Sequence, residues 1–176
     1  MNNYVCEFKK VSENQFLTTT NLDVTLEQRK DAYNAVTIPR RSSTGSAGYD
    51  FVSPFEINIT AGEEYIIPTG IRCEISEGWC LAIIPRSSFG FKYKCRLLNT
   101  VGLIDSDYYH SDNEGHIMIA ITAEEDFTIN VGDKFCQGIV LPFGIDINEK
   151  TNPVVNKRNG GIGSTGKSAR VNPFSC

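Results

Sequence analysis

Hydrophobic and polar residues alternate along most of this chain with a period of two. The alternation covers residues 55–59, 71–75 and 117–121, while residues 79–84 and 135–143 are more continuously apolar. Alternation is typical of strands with one buried face, and continuous apolar runs are typical of strands covered on both faces. The pattern therefore predicts an all-β protein.

Turn residues separate these predicted strands. They are Ala61-Gly62, Pro68-Thr69-Gly70, Glu77-Gly78, Val131-Gly132-Asp133 and Pro142-Phe143-Gly144. Many short strands joined by such turns indicate a sandwich or a closed barrel. Helical spacing is found in one place, Leu22–Ala35, where Asn21 or Thr25 is placed to cap the helix.

The length of 176 residues fits a single domain with its own core. We expect an N-terminal addition over residues 1–35, a barrel core over residues 36–147 and a C-terminal arm over residues 148–176. The arm is polar and glycine-rich, so it cannot form a core of its own. It is either a disordered terminus or a mobile arm that closes over a ligand.

Composition narrows the class of protein further. The net charge of −4 does not favour a nucleic-acid or anionic-membrane surface, and no apolar stretch is long enough to span a membrane. The N-terminus lacks the apolar run of a signal peptide. Six cysteines without a C-x2-C pair, together with only two histidines, indicate reduced thiols rather than a zinc site. These features predict a cytoplasmic protein.

The glycine-rich arm carries groups that suit a phosphate chain. Gly163 and its neighbouring glycines let backbone N–H groups approach phosphate oxygens closely. Arg158, Ser164 and Thr165 add side-chain donors to the same segment. The Gly-Lys-Ser/Thr order of a P-loop is absent from it.

Two further segments offer donors to phosphate. Arg86, Ser87 and Ser88 follow an apolar strand, in a segment that an ordinary turn with solvated side chains would also explain. Gln137 is a polar side chain in an apolar strand and needs a hydrogen-bond partner, which is either backbone or a ligand phosphate. Asp50 follows a flexible Ala-Gly pair and is placed to orient Arg86 or the phosphate cluster.

The segment Asn99–Tyr108 contains the candidate for catalysis. Asp105 follows apolar Leu103 and Ile104, and a carboxylate beside apolar residues can hold and deprotonate a water molecule. The segment is also expected to close a hairpin. By composition alone, a turn with solvated aspartates is the simpler interpretation.

Taken in order, these five segments resemble the five motifs of the trimeric dUTP pyrophosphatase family. The resemblance covers residues 46–166, and its most specific parts are residues 99–108 and the closing Gly-x-Gly-Ser-Thr-Gly. It implies a jelly-roll-like β-barrel and a homotrimer with three shared active sites. It also implies hydrolysis of dUTP to dUMP and pyrophosphate, with the arm reaching the site of a neighbouring subunit.

The resemblance assigns roles around the nucleoside. Asp105 would hold the water that attacks the α-phosphorus. Tyr108 would pack under the deoxyribose and leave no room for a 2′-hydroxyl. The uracil would be read or lined by Asn99, the backbone of Leu103, Ile104 and Asp105, and Met118.

On the phosphate side, the resemblance implies a second set of contacts. The phosphates would be held by Arg86, Ser87, Ser88 and Gln137, with Asp50 in support. The arm would close on the substrate through Arg158, Ile162, Gly163, Ser164 and Thr165. A Mg²⁺ cofactor would be bound mainly by the triphosphate, without a direct protein ligand.

Two positions and one segment depart from the family pattern. Ile162 stands where the family usually has a phenylalanine over the uracil, and loss of such a stack costs about 1–3 kcal/mol in single-strand binding. Lys134 stands where arginine is common, so the charge is kept but the bidentate fork is lost. Residues 109–114 lengthen the segment before Gly115.

Two other functions share this pattern in part. A dCTP deaminase has a similar Arg-Ser-Ser segment, but its catalytic glutamate would fall at Ala120, which cannot transfer a proton. A non-catalytic dUTP-binding regulator could use the same barrel, although the presence of Asp105 and of the arm argues against it.

Overall fold

The structure is a computed structural model that describes residues 4–19 and 23–153. Five of the predicted site residues lie outside the described residues: Arg158, Ile162, Gly163, Ser164 and Thr165. Within the described ranges, no helix is long and apolar enough to cross a membrane.

Twelve strands are found in the described part of the chain. They are β1 (Cys6–Lys10), β2 (Arg40–Arg41), β3 (Tyr49–Val52), β4 (Ile57–Ile59), β5 (Glu64–Pro68), β6 (Ile71–Ile75), β7 (Trp79–Pro85), β8 (Arg96–Leu97), β9 (Gly102–Ile104), β10 (Met118–Thr122), β11 (Phe127–Ile129) and β12 (Lys134–Pro142). Three α-helices accompany them: α1 (Glu13–Thr19), α2 (Leu26–Ala35) and α3 (Ser87–Tyr93). Two 3₁₀ helices cover Ser106–His110 and Ile147–Lys150.

Every strand pairing in the described ranges is antiparallel. The largest sheet has the order β2-β3-β12-β7-β9, and a second has the order β5-β10-β8. The pairs β1-β6 and β11-β4 complete the set. The all-β prediction is therefore confirmed, and the two continuous apolar runs became β7 and β12, which pair with each other inside the largest sheet.

The expected hairpin after Asn99 is not formed. Strand β9 pairs with β7, whereas β10 pairs with β5 and β8, so the two strands belong to different sheets. Between them the chain crosses from one sheet to the other through the 3₁₀ helix Ser106–His110. We call residues 105–117 the crossing segment. Period-two patterning identified the strands but contains no information about which neighbour each one pairs with.

The prediction of a single helix was incomplete. Helix α2 begins at Leu26 because Thr25 forms a capping box with Gln28, each side chain bonding the other's backbone N–H. Helices α1 and α3 were not predicted, since each has only seven residues and too few turns to show a helical period. In α1 the one buried side chain is Phe16, which stacks on Phe55 with the two ring centroids 5.7 Å apart.

The core lies between the sheets and extends to the N-terminal segment. Its fully buried members are mostly β-branched or aromatic: Phe16, Phe51, Ile59, Ile67, Ile71, Leu81, Ile83, Ile117, Ile121, Ile129 and Phe135. Strand β1 pairs with β6 along its whole length, from Cys6 opposite Ile75 to Lys10 opposite Ile71. The N-terminal residues therefore add a strand and two helices to the fold. The division of the chain at residues 35 and 147 stays a prediction.

Candidate active site

An apolar pocket of about 390 Å³ lies between the two larger sheets. Five of the predicted nucleoside contacts line it together: Asn99, Leu103, Ile104, Tyr108 and Met118. Most of the remaining lining is aliphatic, including Ile66, Ile83 and Ile119. A concave apolar site with one amide to read polar edges suits a small planar ligand.

The wall of the pocket depends on a glycine. Strand β9 pairs with β7 so that Gly102 lies opposite Ile83 and Leu103 opposite Ala82. A Cβ atom at Gly102 would lie 3.2 Å from the Ile83 Cβ and 3.8 Å from Asn99 Nδ2. Contact at 3.2 Å is tighter than ordinary van der Waals packing, so glycine lets β9 lie directly against β7.

Asp105 lies at the end of β9, where the crossing segment begins. It is partly buried and is the residue that precedes the 3₁₀ helix carrying Tyr108. Burial raises the pKa of the Cys80 thiol, and the negative charge of Asp105 raises it further. The proposed base therefore sits next to the pocket and close to the β7 strand.

Tyr108 is buried, and its hydroxyl is fixed by two groups. It donates a hydrogen bond to the backbone oxygen of His116 at 2.8 Å and accepts one from Asn113 Nδ2 at 2.8 Å. Because a buried hydroxyl needs partners, this arrangement satisfies both its donor and an acceptor position. The ring is thus held in one orientation against the pocket.

His116 links the crossing segment to the N-terminal helix α1. Its Nε2 accepts from the Gly70 backbone N–H at 2.9 Å, so Nδ1 carries the proton and lies 3.0 Å from Thr19 Oγ1. The Thr19 hydroxyl donates to the Gln15 carbonyl at 2.7 Å, which leaves its oxygen free to accept from His116. Burial lowers the pKa of His116 to about 4, so the ring is neutral at pH 7.

Next to the histidine, Glu114 also joins the crossing segment to the N-terminal residues. Its carboxylate accepts from the Ser12 backbone N–H at 2.8 Å and from the Ser12 hydroxyl at 2.6 Å. These two hydrogen bonds hold the pKa of Glu114 below its ordinary value, against the effect of burial. The residue that precedes α1 and the lengthened segment 109–114 are therefore bonded to each other.

A second group of predicted residues gathers around Asp50 on β3. Its carboxylate lies 2.9 Å from Lys134 Nζ and 3.5 Å from Arg86 Nε, and it accepts from the Ser42 hydroxyl. Burial acts to raise the pKa of Asp50, but Ser42, Lys134 and Arg86 outweigh it and hold the pKa below its ordinary value. Asp50 is therefore an ionised group that orients two cations.

Gln137 lies beside this cluster on β12, opposite both Asp50 and Ile84 in the sheet. Its side-chain oxygen lies so near Gly48 that a Cβ there would come within 2.4 Å of it. Glycine at this position therefore leaves the space that the Gln137 amide occupies. Whether backbone or a ligand phosphate bonds the Gln137 side chain stays a prediction.

The predicted turn at Arg86-Ser87-Ser88 is instead the start of α3. Arg86 is the N-cap residue, and the exposed Ser87 and Ser88 form the first turn. Gly90 does not take a positive φ and continues the helix. A seven-residue helix after a strand cannot be told from a polar turn by sequence pattern alone.

The described site residues thus form two groups. The pocket lining includes none of the described phosphate-side residues Asp50, Arg86, Ser87, Ser88 and Gln137. Sequence reasoning missed three contributors: Ser42 at Asp50, Asn113 at Tyr108 and His116 between α1 and the crossing segment. His116 gave a signal, because a histidine directly before an alternating isoleucine run is expected to be buried and to need partners.

The described residues contain no group of three or more histidine, cysteine, aspartate or glutamate side chains arranged to hold a metal ion. Asp50, the most buried carboxylate at the site, is already neutralised by Lys134 and Arg86. The donor set therefore fits a cation that brings most of its own oxygen ligands, as Mg²⁺ does when it binds through phosphates and water.

Antiparallel sheets that surround an apolar pocket, with a separate cluster of charged side chains, are the features that can be compared with known proteins. A solved structure of the dUTPase from Streptococcus mutans has this fold, with a TM-score of 0.61 and 26% identity over 79% of this chain and 97% of that one. A dUTPase from phage phi11 of S. aureus shares the fold at a TM-score of 0.59, with 18% identity over 80% of this chain and 92% of that one.

The sequence comparisons specify the family. The dUTPase family model matches residues 34–166. The deoxyuridine 5′-triphosphate nucleotidohydrolase of Lactococcus lactis is 37% identical to this chain, over 74% of this chain and 89% of the relative. The enzyme of the same name from Finegoldia magna is also 37% identical, over 73% of this chain and 91% of the relative. The chain belongs to the dUTPase family. The jelly-roll-like fold expected from the sequence is confirmed.

Proposed function

We propose that this protein is a dUTP diphosphatase that hydrolyses dUTP to dUMP and pyrophosphate. The observation that carries the proposal is the pocket beside Asp105, which gathers Asn99, Tyr108 and Met118 against the β9 backbone. Family membership supports the same reaction, since the relatives from Lactococcus lactis and Finegoldia magna are named for it.

The pocket takes the nucleoside. Asn99 and the backbone of residues 103–105 read the polar edge of uracil, and Met118 lines the pocket. Tyr108 packs under the deoxyribose. Ala120 also lines the pocket, and because a methyl group cannot move a proton, deamination of the base is disfavoured.

Asp105 acts as the general base. Its carboxylate takes a proton from a water molecule while the water oxygen bonds to the α-phosphorus. The bond from that phosphorus to the bridging oxygen breaks, and pyrophosphate leaves with the electron pair. Such proton transfer is worth roughly 10²–10⁴ in rate.

The phosphate chain binds at the cluster that Asp50 organises. Arg86 supplies positive charge, and Gln137 and the exposed hydroxyls of Ser87 and Ser88 supply donors. Asp50 holds Arg86 and Lys134 in place without contacting phosphate. A Mg²⁺ ion carried by the triphosphate would fix its conformation and offset its charge.

The two groups of residues come together through assembly in this proposal. A homotrimer shares each active site among its subunits, and the C-terminal arm, residues 148–176, reaches a neighbouring site. There Arg158, Ser164 and Thr165 close on the γ-phosphate, Ile162 covers the uracil, and Gly163 also contacts the substrate. A cytoplasmic location and the single-domain division of the chain complete the proposal.

Pyrophosphate release across four nucleotides tests this function. With Mg²⁺ present, dUTP should be turned over much faster than dTTP, dCTP or UTP. Ammonia release from dCTP would point to a deaminase instead. Tight dUTP binding without pyrophosphate release would point to a non-catalytic regulator, and either result would refute the proposal.

A further inference from the structure

In the lengthened segment 109–114, the side chain of Asn113 bonds the hydroxyl of Tyr108, the tyrosine proposed to lie under the sugar. Asn113 Nδ2 donates to the Tyr108 hydroxyl at 2.8 Å. The same hydroxyl donates to the His116 carbonyl, also at 2.8 Å, so it is held from two sides. A phenol with both bonds formed has little freedom to move its ring.

Asn113 is itself fixed by the loop around it. Its Oδ1 accepts from the Ser111 hydroxyl at 2.7 Å and from the Gly115 backbone N–H at 3.2 Å. The second of these bonds is an Asx-turn, in which an asparagine side chain bonds the backbone two residues on. The amide therefore has a defined orientation, with its oxygen toward the loop and its nitrogen toward Tyr108.

The other partner of the hydroxyl is equally well held. His116 bonds Gly70 and Thr19 through its ring, which anchors the carbonyl that accepts from Tyr108. Gly115 has φ of 71°, and a Cβ there would lie 2.8 Å from the Tyr108 carbonyl oxygen. The loop is thus packed closely against the backbone of Tyr108.

We propose that Asn113 is a positioning residue that sets selectivity for deoxyribose over ribose by fixing the Tyr108 ring. This inference rests on the proposed function, in which Tyr108 lies under the sugar. Exclusion of a 2′-hydroxyl requires that the Tyr108 ring cannot move away from the sugar by the width of one oxygen atom. Asn113 prevents that movement because it holds the far end of the ring.

The test measures kcat/KM for dUTP and for UTP and takes their ratio. For Asn113→Ala, the ratio should fall about twofold to tenfold, the range that a single hydrogen bond accounts for. The fall should come from better use of UTP, with a lower KM for UTP, rather than from an equal loss with both nucleotides. A purely structural role would lower both rates together and leave the ratio unchanged.

A second variant separates the tether from the loop. Asn113→Ser keeps a hydroxyl that can bond the Gly115 N–H, as serine does more weakly in such turns, but it is too short to reach Tyr108. It should lose selectivity as Asn113→Ala does, with a smaller loss of Tm. Asp112→Ala is the matched control, because this exposed residue lies in the same loop and its side chain is not part of the Asn113 to Tyr108 bond.

A double-mutant cycle with Tyr108→Phe tests whether Asn113 acts through the hydroxyl. If it does, Asn113→Ser should change the ratio in the parent protein and leave it unchanged in the Tyr108→Phe background. Additive effects, or an unchanged ratio in a folded Asn113→Ser protein, would overturn the inference. If the parent protein itself fails to favour dUTP over UTP, the placement of Tyr108 under the sugar fails instead.

Discussion

The pocket between β9 and β10 and the charged cluster at Asp50 differ in how their side chains are held. In the pocket, packing and neutral hydrogen bonds fix Tyr108, with His116 kept uncharged by burial. In the cluster, one buried carboxylate orients two cations that remain partly exposed. The pocket is lined mostly by apolar side chains, whereas the cluster is charged and partly exposed.

The difference matches what we propose each part recognises. The uracil base is flat and offers few polar atoms, so shape and a few directed hydrogen bonds distinguish it. A phosphate chain is charged and flexible, so exposed donors around an anchored cation serve it. Substitutions in the pocket and substitutions in the cluster should therefore change different properties of the protein.

The largest effect is expected for Asp105→Asn at the edge of the pocket. An amide cannot take a proton from water, so turnover of dUTP should fall at least about a hundredfold. Binding of dUTP should persist, measured by calorimetry, because the pocket lining is unchanged. Asp112→Asn, an exposed carboxylate of the same segment, serves as the control. Near-normal pyrophosphate release by Asp105→Asn would exclude it as the base.

The pocket side should also lose stability in acid through His116. The folded state holds the pKa of His116 near 4, against an ordinary value of 6.5, so between these values the unfolded chain binds a proton that the folded chain does not. The free energy of unfolding should therefore decrease as pH falls from 6.5 to 4, by roughly 3 kcal/mol in total.

Chemical denaturation at several pH values measures this dependence. His116→Asn should flatten it between pH 4.5 and 6.5, a window that lies above the ordinary pKa of Glu114, 4.5. Asparagine can still accept from Gly70 but does not titrate. Parallel curves for the two proteins across that window would contradict the assignment.

On the phosphate side, Asp50→Asn should cost about 2 kcal/mol of unfolding free energy, as expected for hydrogen bonds to a charged group. The pKa of Asp50 is held low in the folded state. This stabilisation is therefore fully present at pH values above the ordinary pKa of an aspartate, and it is lost as the pH falls through the lowered pKa of the folded state. Asp23→Asn, on the exposed surface, is the control. Equal stability of the two variants at pH 7 would refute the anchoring role.

The smallest effect is expected for Gly48→Ala. The added Cβ would meet Gln137 Oε1, the end of a flexible side chain, so the amide should move with little loss of Tm. If Gln137 binds phosphate, the KM for dUTP should rise about fivefold, the value of one lost hydrogen bond. Gly45→Ala, where nothing lies within 4 Å, should leave KM unchanged. An unchanged KM in both variants would remove Gln137 from the phosphate contacts.

Much of the fold followed from local pattern. The period-two runs became β4, β6 and β10, the continuous runs became β7 and β12, and Thr25 capped the longest helix as one of two expected residues. These features depend on residues close in sequence. Helices α1 and α3 escaped prediction because they are too short to show a period.

The candidate site was likewise predicted only in part from the sequence. The sequence by itself determined which residue types were present and in which order, and that order was enough to identify Asn99, Asp105 and Tyr108 as one group. Only the tertiary structure decided that β9 and β10 lie in different sheets, that Asn113 and His116 hold the Tyr108 hydroxyl, and that Ser42 completes the Asp50 cluster. Each of these depends on how separate elements pack and pair, and local sequence pattern does not specify that pairing.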